Sequence, residues 1–201
     1  DQAGTADAMT DLVALVGSRL CHDLISPLGA IGNGVELLAM AGTGMSPGLQ
    51  LIAESGAAAH ARVKFFRVAF GRADDGQSLS EREACQILTD MSAASRMKIE
   101  PLLSGDQPRA GLKMCFLALL CLETALPWGG TVSVAHTGGR WTVRGEATRT
   151  KPDPDLWARL DGTPVDLRPA QVQFALLAET ARARNLPLSW DVTETSAWVQ
   201  F

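Results

Sequence analysis

SRLCHDLISPLGAIGNGVELL, residues 18–38, sets one histidine into a helical rhythm. Counting from Met9, the apolar residues Val13, Val16, Leu20, Leu24, Leu28, Ile31, Val35 and Leu38 follow at steps of three and four. That spacing belongs to a helix packed in a bundle or coiled coil. His22 stands two positions from both Leu20 and Leu24, roughly 200° around a helix from each, and so faces away from the seam. Steps of three and four from His22 reach Ser18, Arg19, Ser26, Gly29 and Asn33, a face of small or polar side chains that another protein can approach closely. A histidine on such a face can be a plain surface residue. What sets His22 apart is Asp23 directly after it and Ser26-Pro27-Leu28 one turn on. Pro27 removes one backbone hydrogen bond and is expected to bend the rod.

Outward from this stretch, the periodicity predicts a first helix over residues 5–41, with Thr10 or Asp11 near its start. Residues 41–48, AGTGMSPG, form a turn: glycines end one helix, and Ser46-Pro47 is a cap followed by proline at the first helical position. A second helix then carries Leu49, Ile52, Gly56, Ala59, Val63, Phe66 and Phe70 as an unbroken heptad seam. The pair reads as an antiparallel hairpin. A lone hairpin exposes too much apolar surface, and a four-helix bundle made by two chains is the expected remedy, with Ile52, Gly56, Ala59, Val63 and Phe66 at the dimer seam. Coverage of the hairpin by the C-terminal part of the same chain is the other arrangement the sequence allows.

Polar, glycine-bounded residues 71–77 read as a linker between a hairpin domain (1–73) and a second domain (77–201). Ser80-Glu-Arg-Glu83 is a capping box opening a helix to about residue 95. A strand is predicted over 97–103, an apolar helix over 110–126, and strands over 131–135 and 140–145 around the glycine turn of His136-Thr-Gly-Gly139. A short helix over 152–160, a longer one over 169–184, and strands over 188–192 and 197–201 complete an α+β layer fold.

Composition narrows the function. The 201 residues are 46% hydrophobic and 20% charged with a net charge of −4, ordinary for a globular protein and against a nucleic-acid binder. Cys21, Cys85, Cys115 and Cys121 form no CxxC pair, and with His22, His60 and His136 they offer no zinc-ligand spacing. No signal peptide or bilayer-spanning stretch is evident, so a soluble, cytoplasmic chain with reduced thiols is expected. The sequence begins at Asp1 without methionine, the form expected of a trimmed chain.

His22-Asp-Leu-Ile-Ser-Pro-Leu28 resembles the phosphoacceptor box of dimeric histidine kinases. Together with the later Lys64-Phe-Phe-Arg-Val-Ala-Phe-Gly71, it is similar to the ChpT-type histidine phosphotransferases of alphaproteobacterial phosphorelays. The resemblance implies that His22 carries a phosphoryl group between aspartates of receiver domains in a hybrid kinase and in response regulators. It also implies a homodimer, with the receiver aspartate and its Mg²⁺ supplied by the partner. A neutral imidazole is a competent nucleophile near pH 7, and Asp23 is placed to orient the ring or handle its proton. Ser26 either shapes the site or is a solvated helix residue. Because a receiver's active site is acidic, Arg62, Lys64 and Arg67 on the second helix are candidates to steer it, together with the Ser18, Arg19, Gly29 and Asn33 face; a solvated helix face is the alternative for each.

The second domain resembles, by element order, the ATP-binding domain that follows the hairpin in histidine kinases. Where that domain carries two asparagines four apart, this chain has Leu117 and Cys121, neither a suitable ligand for Mg²⁺. Arg144-Gly-Glu-Ala-Thr-Arg149 stands in place of an Asp-x-Gly-x-Gly loop, and no GxxxxGK[ST] loop occurs. The expectation is a degenerate ATPase-like domain with no bound cofactor or metal, and a phosphotransfer intermediate in place of an ATP-dependent kinase. An atypical kinase and a non-catalytic receiver-binding adaptor are the rival readings.

Overall fold

The computed structural model describes residues 20, 23–24, 26–42, 46–71 and 73–201. Residues 26–41 form helix α1, with Leu20, Asp23 and Leu24 also helical. The expected start of this helix, and Ser18, Arg19, Cys21 and His22, lie outside the described residues. Helix α2 is Pro47–Ala69; the Ser46 hydroxyl accepts from the Leu49 amide at 3.3 Å and Pro47 opens the first turn, as the sequence predicts. The two helices meet at a glycine crossing. A Cβ on Gly34 would collide with the Ile52 side chain and lie 2.8 Å from the Gly48 carbonyl oxygen, and one on Gly48 would lie 2.9 Å from the Gly34 carbonyl. Only hydrogen at both positions permits this approach.

The far end of α2 belongs to the core of the second half of the chain. Phe65, Phe66, Val68 and Ala69 are buried in one continuous apolar cluster with Leu88, Phe116 and Leu120, and α2 packs against α3 (Glu81–Ala93) and α4 (Arg109–Ala125). Phe65 stacks on Phe116 at 4.4 Å between ring centroids and meets Phe66 edge-on at 6.3 Å. Phe66, expected at a seam between chains, is packed against its own chain instead. The apolar arc at residues 65, 66, 68 and 69 spans more of the helix than a heptad stripe, because this turn has neighbours on more than one side.

The second half is two layers. A five-stranded sheet has the order β2–β4–β5–β7–β6, with β2 Met97–Leu102, β4 Gly130–Thr137, β5 Arg140–Glu146, β6 Ser189–Val192 and β7 Ser196–Gln200. Only the β2–β4 pair is parallel. Alternation sends Ile99, Val132, Val134, Val143 and Val199 inward and Lys98, Arg144 and Asp191 to the open face. Helix α4 lies over the inner face so closely that a Cβ on Gly145 would sit 2.6 Å from Leu126 Cδ1. Beside α4 runs α6 (Val172–Ala183), and α5 (Pro154–Trp157) continues into a 3-10 turn at Ala158–Asp161. The two-residue strands β1 (Ser78–Leu79) and β3 (Gln107–Pro108) pair with each other, a detail too short for a period-2 pattern to reveal. Among the described residues no helix is long and apolar enough to cross a membrane.

Candidate functional site

Asp23 and Ser26 are the described polar members of the motif around His22. The Asp23 carboxylate is nearly covered and pairs with Arg62 of α2: Oδ2 lies 3.4 Å from Nη1. The second nitrogen of the same guanidinium, Nη2, donates to Glu123 Oε1 on α4 at 3.1 Å. Arg62 thus ties the helical segment carrying Asp23 to the sheet-covering helix, with only 18% of its side chain exposed. It was a candidate for steering an acidic partner from the surface; its charge is instead taken up by two carboxylates of its own chain. Glu123 was not singled out in the sequence. The signal available was that it is the one acidic residue in the apolar run of α4, and a carboxylate there needs a partner.

Beside this bridge opens a cleft of about 550 Å³, lined by Asp23, Ser26, Pro27, Glu54, Ser55 and Arg62, with Ala93 and Ala94 from the end of α3. Ala30, Leu51 and Ala58 complete its lining. Ser26, Gly29 and Asn33 are exposed along α1, and a Cβ on Gly29 would touch nothing within 4 Å. Lys64 and Arg67 are not brought to this cleft. They line a separate one of about 400 Å³ between α2 and α3, with Arg82, Arg109, Glu83 and Asp90. Of the proposed seam residues, Val63 is exposed, Gly56 has open space where a Cβ would stand, Ala59 is half-buried, and Ile52 packs on Gly34 within the hairpin.

Several polar groups of the second half brace its loops. Gln107 Nε2 donates to the carbonyls of Ser104 and Gly105 at 2.9 Å each. Its Oε1 is left to accept from His136 Nδ1 at 2.7 Å, and the imidazole stacks on Trp141 at 4.4 Å. His60 is exposed on α2. Lys113 donates to the Gly71 carbonyl at 2.7 Å, and burial together with the Arg109 charge lowers its pKa. Leu117 and Cys121 are fully buried in the apolar core, as is Cys115, whose thiol burial pushes up. Among the described residues no group of three His, Cys, Asp or Glu side chains is placed to hold a metal ion.

A helical hairpin braced on a two-layer α/β unit, with an open cleft at the brace, makes this an α+β protein. Residues 81–196 match the family described as the histidine phosphotransferase C-terminal domain. Protein phosphotransferase ChpT of Brucella abortus (strain 2308) is 36% identical over 152 residues, 71% of each chain. A solved structure described as a bacterial phosphotransferase superposes with a TM-score of 0.79 at 27% identity, covering 95% of both chains. This chain belongs to the histidine phosphotransferase family.

Proposed function

We propose that this chain relays a phosphoryl group between receiver-domain aspartates through His22. The observation that carries the reading is that Asp23 and Ser26 line an open cleft beside α2 in a chain of this family. In the forward step the unprotonated ring nitrogen of His22 attacks the phosphorus of a receiver's aspartyl phosphate. An N–P bond forms, the P–O bond to the aspartate breaks, and the carboxylate leaves with the electron pair. In the second step a carboxylate oxygen of another receiver attacks the same phosphorus, and the N–P electron pair returns to the imidazole. Such transfer is positioning plus charge stabilisation; Mg²⁺ is assigned to the receiver, and Asp23 to orienting the ring or handling its proton. Upstream and downstream partners are receivers of a hybrid kinase and of response regulators, and the cytoplasm is the compartment this assigns.

The hairpin (1–73) and the α/β unit (77–201) are taken as the two domains, the second a degenerate relative of a kinase ATPase domain. A second copy of the chain is taken to cover the outer hairpin face, where Leu28 and Val35 are more than half exposed and Val63 is 41% exposed. The seam is then Ile52, Gly56, Ala59 and Val63, without Phe66.

Transfer of labelled phosphate tests the relay, with ATP or a phosphorylated receiver domain as donor, on wild type and His22→Gln. Acid-labile label acquired from the receiver alone, and only with His22 present, is the expected result. Label from ATP alone refutes the relay in favour of a kinase. Receiver binding without label refutes it in favour of an adaptor.

A further inference from the structure

Arg62 holds two carboxylates that come from different parts of the chain, Asp23 beside the phosphoacceptor and Glu123 on α4 of the α/β unit. Each carboxylate takes a different nitrogen of one planar guanidinium, a geometry a lysine's single ammonium cannot reproduce. The guanidinium is largely covered, so it is poorly placed to meet an incoming partner, yet it forms one wall of the cleft that Asp23 and Ser26 line. Where α3 reaches the cleft it contributes only Ala93 and Ala94, whose methyl groups form no polar tie to α1. We infer that Arg62 is a positioning residue for phosphotransfer: the Asp23–Arg62–Glu123 bridge holds Asp23, next in sequence to the phosphoacceptor, against the α/β unit, so that Glu123 on α4 governs the transfer rate through Arg62. This rests on the reading of His22 as phosphoacceptor.

Positioning and docking predict opposite kinetics. In transfer from a labelled receiver with Mg²⁺ present, a misplaced nucleophile lowers the rate at saturating receiver and leaves the half-saturating concentration alone. Arg62→Gln and Glu123→Gln are each expected to slow saturated single-turnover transfer by about tenfold or more, with half-saturation within about twofold of wild type. The double variant is expected to be no slower than the worse single, because both remove one bridge. Arg62→Lys, which keeps the charge but loses the rigid two-nitrogen fork, is expected to fall between wild type and Arg62→Gln. Glu123→Gln changes no side-chain volume to speak of, and its fold is checked by its melting curve.

A raised half-saturating concentration in Arg62→Gln, with Glu123→Gln unchanged or binding receiver more tightly, overturns the inference and makes Arg62 a docking residue. Wild-type rates in both single variants, or multiplying losses in the double, also overturn it. His22→Gln run in the same series separates the two levels: label retained on that variant defeats the relay reading, whereas label confined to chains with His22 but insensitive to Glu123 defeats the bridge alone.

Discussion

Truncation of Phe65 asks whether the hairpin and the α/β unit fold as one. The Phe65 ring has no exposed surface and stacks on Phe116 of α4 with ring planes within 8° of parallel. Removing a buried phenyl ring costs about 3–5 kcal/mol, from lost transfer energy and the cavity left behind. With a urea slope of about 3 kcal/mol per molar, that loss moves the unfolding midpoint down by about 1–1.7 M. The probe is built in. All five tryptophans, Trp128, Trp141, Trp157, Trp190 and Trp198, lie in the second half of the chain, so their fluorescence reports the α/β unit alone. Phe65, by contrast, sits on α2. In Phe65→Ala the tryptophan transition is expected to shift by the full amount and to coincide with loss of helix followed by far-ultraviolet circular dichroism. A tryptophan midpoint that stays at its wild-type value while the helical signal melts earlier would refute the shared core, and would mean that α2 folds apart from α4.

Two further outcomes test the packing locally. Gly34→Ala places a methyl group against Ile52 and the Gly48 carbonyl, and is expected to lower stability by about 1–3 kcal/mol in thermal melts, whereas the same change at the open Gly29 is not. Thiol labelling of the native protein is expected to leave Cys115 and Cys121 unmodified until the chain unfolds, since both are fully buried. Cys85 is expected to react at a measurable rate but below that of a free thiol at neutral pH, because partial burial and then the Glu81 charge raise its pKa and so reduce its thiolate fraction. Glu81→Gln should accelerate its modification, and an unchanged rate would remove the charge from the explanation.

Much of the fold was legible because its signals are local. Ser46-Pro47 and Ser80–Glu83 bound helices through caps that depend on three or four adjacent residues. The turn at Gly138-Gly139 needs two left-handed residues, and both glycines adopt positive φ. The alternation in β4 and β5 records directly which face meets α4. What the sequence concealed was choice of partner. The heptad from Ile52 to Phe70 is as suitable for a second chain as for α3 and α4, and nothing in a seam states which surface fills it. Yet Phe65, Phe66, Val68 and Ala69 together exceed one stripe, and that excess was the readable sign that this end of α2 is enclosed.

The same ambiguity explains the arginines. Arg62, Lys64 and Arg67 are equivalent in sequence: three cations within two turns of one helix. A helix turns about 100° per residue, so Arg62 and Lys64 point roughly 200° apart and meet different neighbours. Arg62 finds Asp23 and Glu123 inside the chain, while Lys64 and Arg67 overlook the cleft against α3. Two acids already fix the charge of Arg62, so an acidic partner gains little from approaching it. Lys64 and Arg67 share their cleft with Arg82 and Arg109 against only Glu83 and Asp90, which leaves that surface with an excess of positive charge. The formal positive charge of α2 is therefore offered at the α2–α3 cleft by Lys64 and Arg67, and burial between two acids is what sets Arg62 apart from them.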